Sequence, residues 1–121
     1  MKLTARALWS SAAREARDRR LEDQLALQLR VAGLDQGLER EYRFSQRRWR
    51  LDFAYPINRL AIEVHGGTYV NGAHSRGARQ RLDFDKQNAL VLLGWRLLIF
   101  DTVMVRRGEA LRVIEQALLN P

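Results

Sequence analysis

The sequence predicts an α/β fold, a three-layer sandwich of helices over a mixed sheet, in the order helix, three strands, helix, strand, helix. Three observations lead there: Leu21, Leu25, Leu29 and Ala32 recur at helical spacing; the period falls to two between Tyr42 and Tyr55; and strand and helix patterns alternate from residue 60 to the end. The 121 residues contain two prolines, Pro56 and Pro121, and no Gly/Ser linker, so 1–121 reads as one domain.

Each element has a local reason. Residues 3–32 read as helix, with a break allowed near Asp18, and Gly33 supplies a left-handed stop. Tyr42 and Phe44, then Trp49, Leu51, Phe53 and Tyr55, alternate with polar residues as two half-buried strands joined by a turn around Ser45–Arg48. Pro56 and Asn58 make the next turn, and LAIEVH (60–65) is a third strand. A loop with Gly66, Gly67, Gly72 and Gly77 leads into a helix over 78–93 that stops at Gly94. The apolar run in 95–100 predicts a central strand covered on both faces, and a helix over 108–119 closes the chain. Trp9, Trp49 and Trp95 lie on apolar stripes and are expected in the core.

Composition narrows the chemistry. There is no cysteine, which removes disulfides, iron–sulfur clusters and thiol nucleophiles. No apolar run approaches the roughly 18 residues of a membrane span, so no membrane partner and a cytoplasmic address are expected. Net charge is +7, and 19 of the 21 basic residues are arginine, whose planar fork pairs with phosphate through two hydrogen bonds. Coding bias accounts for a high ratio of arginine to lysine but not for the net charge. The first 50 residues carry +5 of it, part of it in the stretch REARDRR (14–20), a solvated or phosphate-contacting face.

Two carboxylates stand mid-strand between apolar neighbours: Asp52 between Leu51 and Phe53, Glu63 between Ile62 and Val64. Strand alternation puts Glu63 and His65 on one face and Ile62 and Val64 on the other, while Asp52 shares its face with Arg50. Neighbouring strands would bring both acids to one end of the sheet, a setting suited to a hard divalent cation. Spacing alone equally allows two surface acids paired with arginines such as Arg50.

The run WRLDFAYPINRLAIEVH (49–65) resembles the metal-binding hairpin of PD-(D/E)XK nucleases. EVHGGTYVNGAHSRG and DFDKQNALVLLGWRLLIF, which follow, are similar to small phage and bacterial nucleases related to the very-short-patch-repair and Holliday-junction-resolvase branches; the likeness covers about residues 20–103. It implies a restriction-endonuclease-like αβββαβ core with an extra C-terminal helix. It also implies Mg²⁺ or Mn²⁺ as cofactor and DNA as partner, with branched or structured DNA favoured. A junction substrate would call for a homodimer, since two strands need two sites.

Carried over by position, Asp52, Glu63 and the carbonyl of Val64 match the family's metal ligands, and Glu22 matches an acid contributed by the first helix. The lysine usually found two residues after the glutamate is replaced by His65. A histidine there can ligate metal, act as a base near neutral pH, or satisfy a strand hydrogen bond. Lys86 is the second candidate, on the stripe Leu82, Lys86, Ala89, Leu93 that should meet the sheet; otherwise it pairs with Asp83 at the surface. Asp52, Glu63, His65 and Lys86 are therefore the expected catalytic residues, and Arg50, His74, Arg76 and Arg79 the expected nucleic-acid contacts, with Tyr69 able to stack on a base. A nucleic-acid-binding domain that kept the fold without turnover is the alternative.

Overall fold

The computed structural model describes the backbone of residues 5–66 and 76–121, and side chains at 12, 13, 15–66, 81 and 83–121. His74 and Tyr69, and the side chains of Arg76, Arg79, Leu82 and Trp9, lie outside the described residues.

The chain is a mixed α/β structure. Its elements run α1 (Ala5–Val31), β1 (Glu39–Tyr42), β2 (Leu51–Tyr55), β3 (Leu60–His65), α2 (Arg76–Leu92), β4 (Arg96–Asp101), α3 (Thr102–Arg106) and α4 (Glu109–Leu119). One four-stranded sheet has the order β1-β2-β3-β4, antiparallel across the first two pairs and parallel between β3 and β4. The mixture follows from the connections: Pro56–Arg59 is a tight turn, with Asn58 N donating to Tyr55 O at 3.1 Å, whereas α2 provides the long crossover that parallel strands need.

Alternation along β2 and β3 divides the core in two. Phe53, Tyr55, Leu60, Ile62 and Val64 join Leu21, Leu25 and Leu29 of α1, Val105 of α3, and Ala110 and Ile114 of α4. Ala54 and Ala61 lie in a smaller cluster with Leu51 and Leu90, the latter from α2. The small alanines let α2 approach the sheet. Both predicted glycine stops occur: Leu34 N donates to Leu29 O at 2.8 Å and Trp95 N to Leu90 O at 2.9 Å, closing each helix with Gly33 or Gly94 left-handed.

Several expectations change. α1 is unbroken through Asp18. Residues 43–50 form an irregular connection, because β1 pairs through Glu39–Tyr42 and ends before Phe44. β4 is an edge strand in the described sheet rather than a central one; Leu98 and Phe100 pack into the α1–α3–α4 cluster and Leu97 into the cluster with Leu90 of α2, so helices meet both faces, with Ile99 left 44% exposed. The C-terminal helix is preceded by the short α3, which Asp101 starts by accepting from Met104 N at 2.9 Å; Gly108 then separates α3 from α4. Trp49 and Trp95 are only half-buried, in an aromatic group in which Phe44 stacks on Trp49 and tilts against Trp95. On α2, Leu90 rather than Leu93 is buried beneath the helix, one turn beyond Lys86.

Tyr55 anchors the link between α1 and β1 through its hydroxyl, which donates to Leu34 O at 2.6 Å. Burial pushes the phenol up to about 12, so it remains a donor at physiological pH. Tyr55→Phe should lower the unfolding free energy by about 1–2 kcal/mol, read from the denaturant midpoint, because the Leu34 carbonyl loses its donor in a part-buried place.

Candidate metal centre

The strand register builds a row of carboxylates. Phe53 pairs with Ile62 and Arg40 with Phe53, so the next step along the ladder sets Asp52 opposite Glu63 on one side and opposite Glu41 on the other. Between β2 and β3 the acids extend the ladder with their side chains. Asp52 N donates to Glu63 Oε2 at 3.2 Å, and Val64 N donates to Asp52 Oδ2 at 2.8 Å. Each carboxylate is thereby oriented by the other strand's backbone, which is more rigid than any side chain.

Glu22, from α1, completes the group. One oxygen each from Glu22, Glu41 and Asp52 lie within 4.8 Å of one another. Glu22 is 9% exposed and has no hydrogen-bond or ion-pair partner among the described residues. A buried acid without a partner is costly when charged. Accordingly burial, followed by the charge of Glu41, raises Glu22 to about 7. Burial, followed by the charge of Glu63, raises Asp52 to about 8 against the opposing pull of the Val64 amide. This donor set suits a divalent cation: its oxygens are the hard ligands such an ion prefers, and a positive charge would relieve the mutual repulsion.

Glu41 was not among the residues expected from sequence. Its backbone has φ 51°, left-handed for a residue inside a strand, at a cost of about 1–2 kcal/mol. A glutamate followed by Tyr-Arg-Phe carries no signal of that conformation.

Lys86 reaches the row from the opposite layer. Its Nζ donates to Glu63 Oε1 and, at 2.6 Å, to Arg50 O, with its side chain 17% exposed and that of Glu63 13%. It pairs with Glu63, not with Asp83. His65, on the same face of β3 as Glu63, is exposed and lines a narrow cleft with Glu63, Asp83, Lys86 and Ile99. It lies outside the Glu22–Glu41–Asp52 group. Arg50 enters only through its carbonyl, and no ion pair joins its guanidinium to a carboxylate among the described residues. Val64 contributes its amide to Asp52 from a buried position.

The raised acids make metal-free stability depend on pH. Asp52 and Glu22 bind protons in the folded chain that the unfolded chain releases near 3.8 and 4.5, so their contribution is full below those values and is lost as pH rises through about 7 to 8. Without metal, the melting temperature should therefore be lower near pH 8 than near pH 5. Added Mn²⁺ should restore most of the difference at the higher pH and little at the lower, since ligation requires deprotonated carboxylates. A melting temperature insensitive to pH over this window, with or without Mn²⁺, would contradict the acid cluster.

No protein-family model matches the chain, and comparisons with curated proteins and with solved structures return no match.

Proposed function

We propose that this chain is a divalent-metal-dependent nuclease of the PD-(D/E)XK type that hydrolyses DNA phosphodiester bonds, with branched or structured DNA as the preferred substrate. The observation that carries this reading is the convergence of Asp52, Glu63 and Lys86 from β2, β3 and α2, with the partnerless Glu22 beside Asp52. Likeness of the hairpin sequence to that family supports it.

Asp52 and Glu22, with Glu41 alongside, would hold Mg²⁺ or Mn²⁺, and Glu63 stands next to them. A divalent ion supplies Lewis-acid polarisation of a phosphodiester and a bound water of lowered pKa. Lys86 sets an ammonium group at the edge of the carboxylates, where it can stabilise negative charge growing on the phosphorus oxygens during attack. Its position against Glu63 lets it serve as the cation that the family ordinarily places two residues after the glutamate, where this chain has His65. His65, exposed on the Glu63 face, is suited to ordering or receiving a proton from solvent water. The net charge of +7 favours a polyanionic substrate. None of the helices among the described residues is long and apolar enough to cross a membrane.

Incubation of the purified protein with single-stranded, duplex, flap and four-way-junction DNA, with and without Mn²⁺, tests the proposal. Metal-dependent cleavage, strongest on a branched substrate, is the expected result. Binding without cleavage of any substrate would turn the reading into that of a nucleic-acid-binding domain.

A further inference from the structure

A second cleft, opposite in chemistry to the carboxylate row, lies between α1 and α3. Arg17, Arg20, Leu21 and Gln24 follow at i, i+3, i+4 and i+7 along one face of α1, and Thr102 and Arg106 stand one turn apart on α3. Together they enclose about 300 Å³, at the lower end of the range for small-ligand clefts. Leu21 is buried and the three arginines are exposed. Among the described residues no carboxylate lines the cleft itself, though Asp18 stands beside Leu21 and Thr102 at Gly66, and none of the three guanidinium groups has an ion-pair partner.

Convergence of three cations that form no ion pair among the described residues is unfavourable in the free protein, though water weakens the repulsion, and becomes favourable once an anion enters. Another cleft of similar size, about 310 Å³, makes the contrast: it sets Asp35 beside Arg30 and Arg40, and Arg40 is bonded to Asp23 at 2.8 Å. There one of the two arginines is held by an acid, whereas Arg17, Arg20 and Arg106 have no such bond among the described residues.

The cleft adjoins the candidate metal centre. A Cβ placed on Gly66 would lie 2.7 Å from Asp18 Oδ1, 3.4 Å from Leu21 Cδ2 and 3.7 Å from Thr102 Oγ1, so two of the lining residues, with the Asp18 carboxylate between Arg17 and Arg20 in sequence, lie close to the residue directly after His65. Leu21 also precedes Glu22 on α1. Four carboxylates repel a polyanion, so a strand laid across them needs a positive anchor on at least one flank.

We propose that the α1–α3 cleft is a phosphate subsite, in which Arg17, Arg20 and Arg106 grip a backbone phosphate of the nucleic-acid strand beside the one presented to the carboxylates. Guanidinium forks fit phosphate oxygens in pairs, and Gln24 and Thr102 add neutral donors. The identity of the strand rests on the function proposed above; the anion site rests on the cleft.

Binding of a short single-stranded DNA, followed by fluorescence anisotropy over a range of salt in EDTA, tests this without requiring turnover. Arg17→Gln and Arg106→Gln should each weaken binding several-fold and lower the log–log salt slope by about 0.7, the value for one lost phosphate contact on a single strand. Arg112→Gln, an exposed change on α4 outside the cleft, should alter neither. An unchanged slope in the Arg17→Gln/Arg106→Gln double variant would overturn the subsite, even if the protein cleaves DNA. A reduced slope in a protein that cleaves nothing would leave the subsite standing and remove the nuclease reading. Inorganic phosphate that binds the wild type saturably, while the oligonucleotide slope ignores both substitutions, would reassign the cleft to free phosphate and likewise defeat the proposal.

Discussion

Asp52→Asn and Glu63→Gln should each lower Mn²⁺-dependent DNA cleavage by at least about 10²–10³-fold, the scale on which removal of one preorganised electrostatic group acts. Both substitutions keep the side-chain shape and one acceptor oxygen, so Val64 N and Asp52 N retain partners and the sheet should stay paired. Stability should then separate the two. Asp52→Asn removes an acid raised to about 8 by burial and by Glu63, and so should stabilise the metal-free protein at high pH while abolishing its gain from Mn²⁺. Glu63→Gln also takes the partner of Lys86, which offsets the relief of repulsion and leaves a smaller net change. Gel-based cleavage assays beside melting curves with and without Mn²⁺ give all four quantities. Cleavage at the wild-type rate by both variants would remove the carboxylate row from the chemistry.

Lys86→Met should reduce turnover by about 10²-fold or more, and Lys86→Arg should recover part of the loss. Methionine preserves the approximate length of the apolar stem, which lines the same cleft as Leu90, so the substitution deletes the ammonium and little else. It also leaves Glu63, 13% exposed and next to Asp52, without its cation, which should cost about 1–3 kcal/mol of metal-free stability. Saturating Mn²⁺ should return the stability, because a bound ion takes over the neutralisation, but not the turnover. That split distinguishes an electrostatic part in the reaction from a merely structural one. His65→Gln should have the smaller effect on turnover, since His65 stands exposed at the mouth of the Lys86 cleft. Full activity of Lys86→Met under saturating Mn²⁺ would hand the role to another group. An inactive His65→Lys variant would show that the imidazole does something an ammonium at that position cannot.

The readable and unreadable parts of this site differ for physical reasons. Asp52 and Glu63 stand out in sequence because a charged residue in an apolar alternating strand violates the period, and the short Pro56–Arg59 turn leaves few registers in which the strands can pair. Lys86 is visible as a cation on the inner stripe of a helix, although the stripe itself continues to Leu90 and not to Leu93. Glu41 is invisible, since a left-handed glutamate in a strand is held by its surroundings against its own preference. The same holds for the arginine cleft. Arg17 and Arg20 look like part of a solvated helical face until α3, itself hidden in the sequence behind a single capping aspartate, brings Arg106 to them.

By itself the sequence determined the α/β class, the two glycine helix stops, the β2–β3 hairpin with its pair of acids, and an arginine-rich surface of net charge +7. These depend on local periodicity, turn chemistry and charge, which act over a few residues and survive any arrangement of the elements. Only the tertiary structure decided that β4 takes the edge of the described sheet, that Glu41 joins Asp52 and Glu22, that Lys86 binds Glu63 instead of Asp83, and that three arginines share one cleft. Each of those is a meeting of side chains far apart in the chain. Whether such groups meet is set by how helices and sheet bury their apolar faces against one another, a balance over the whole core that no local pattern encodes.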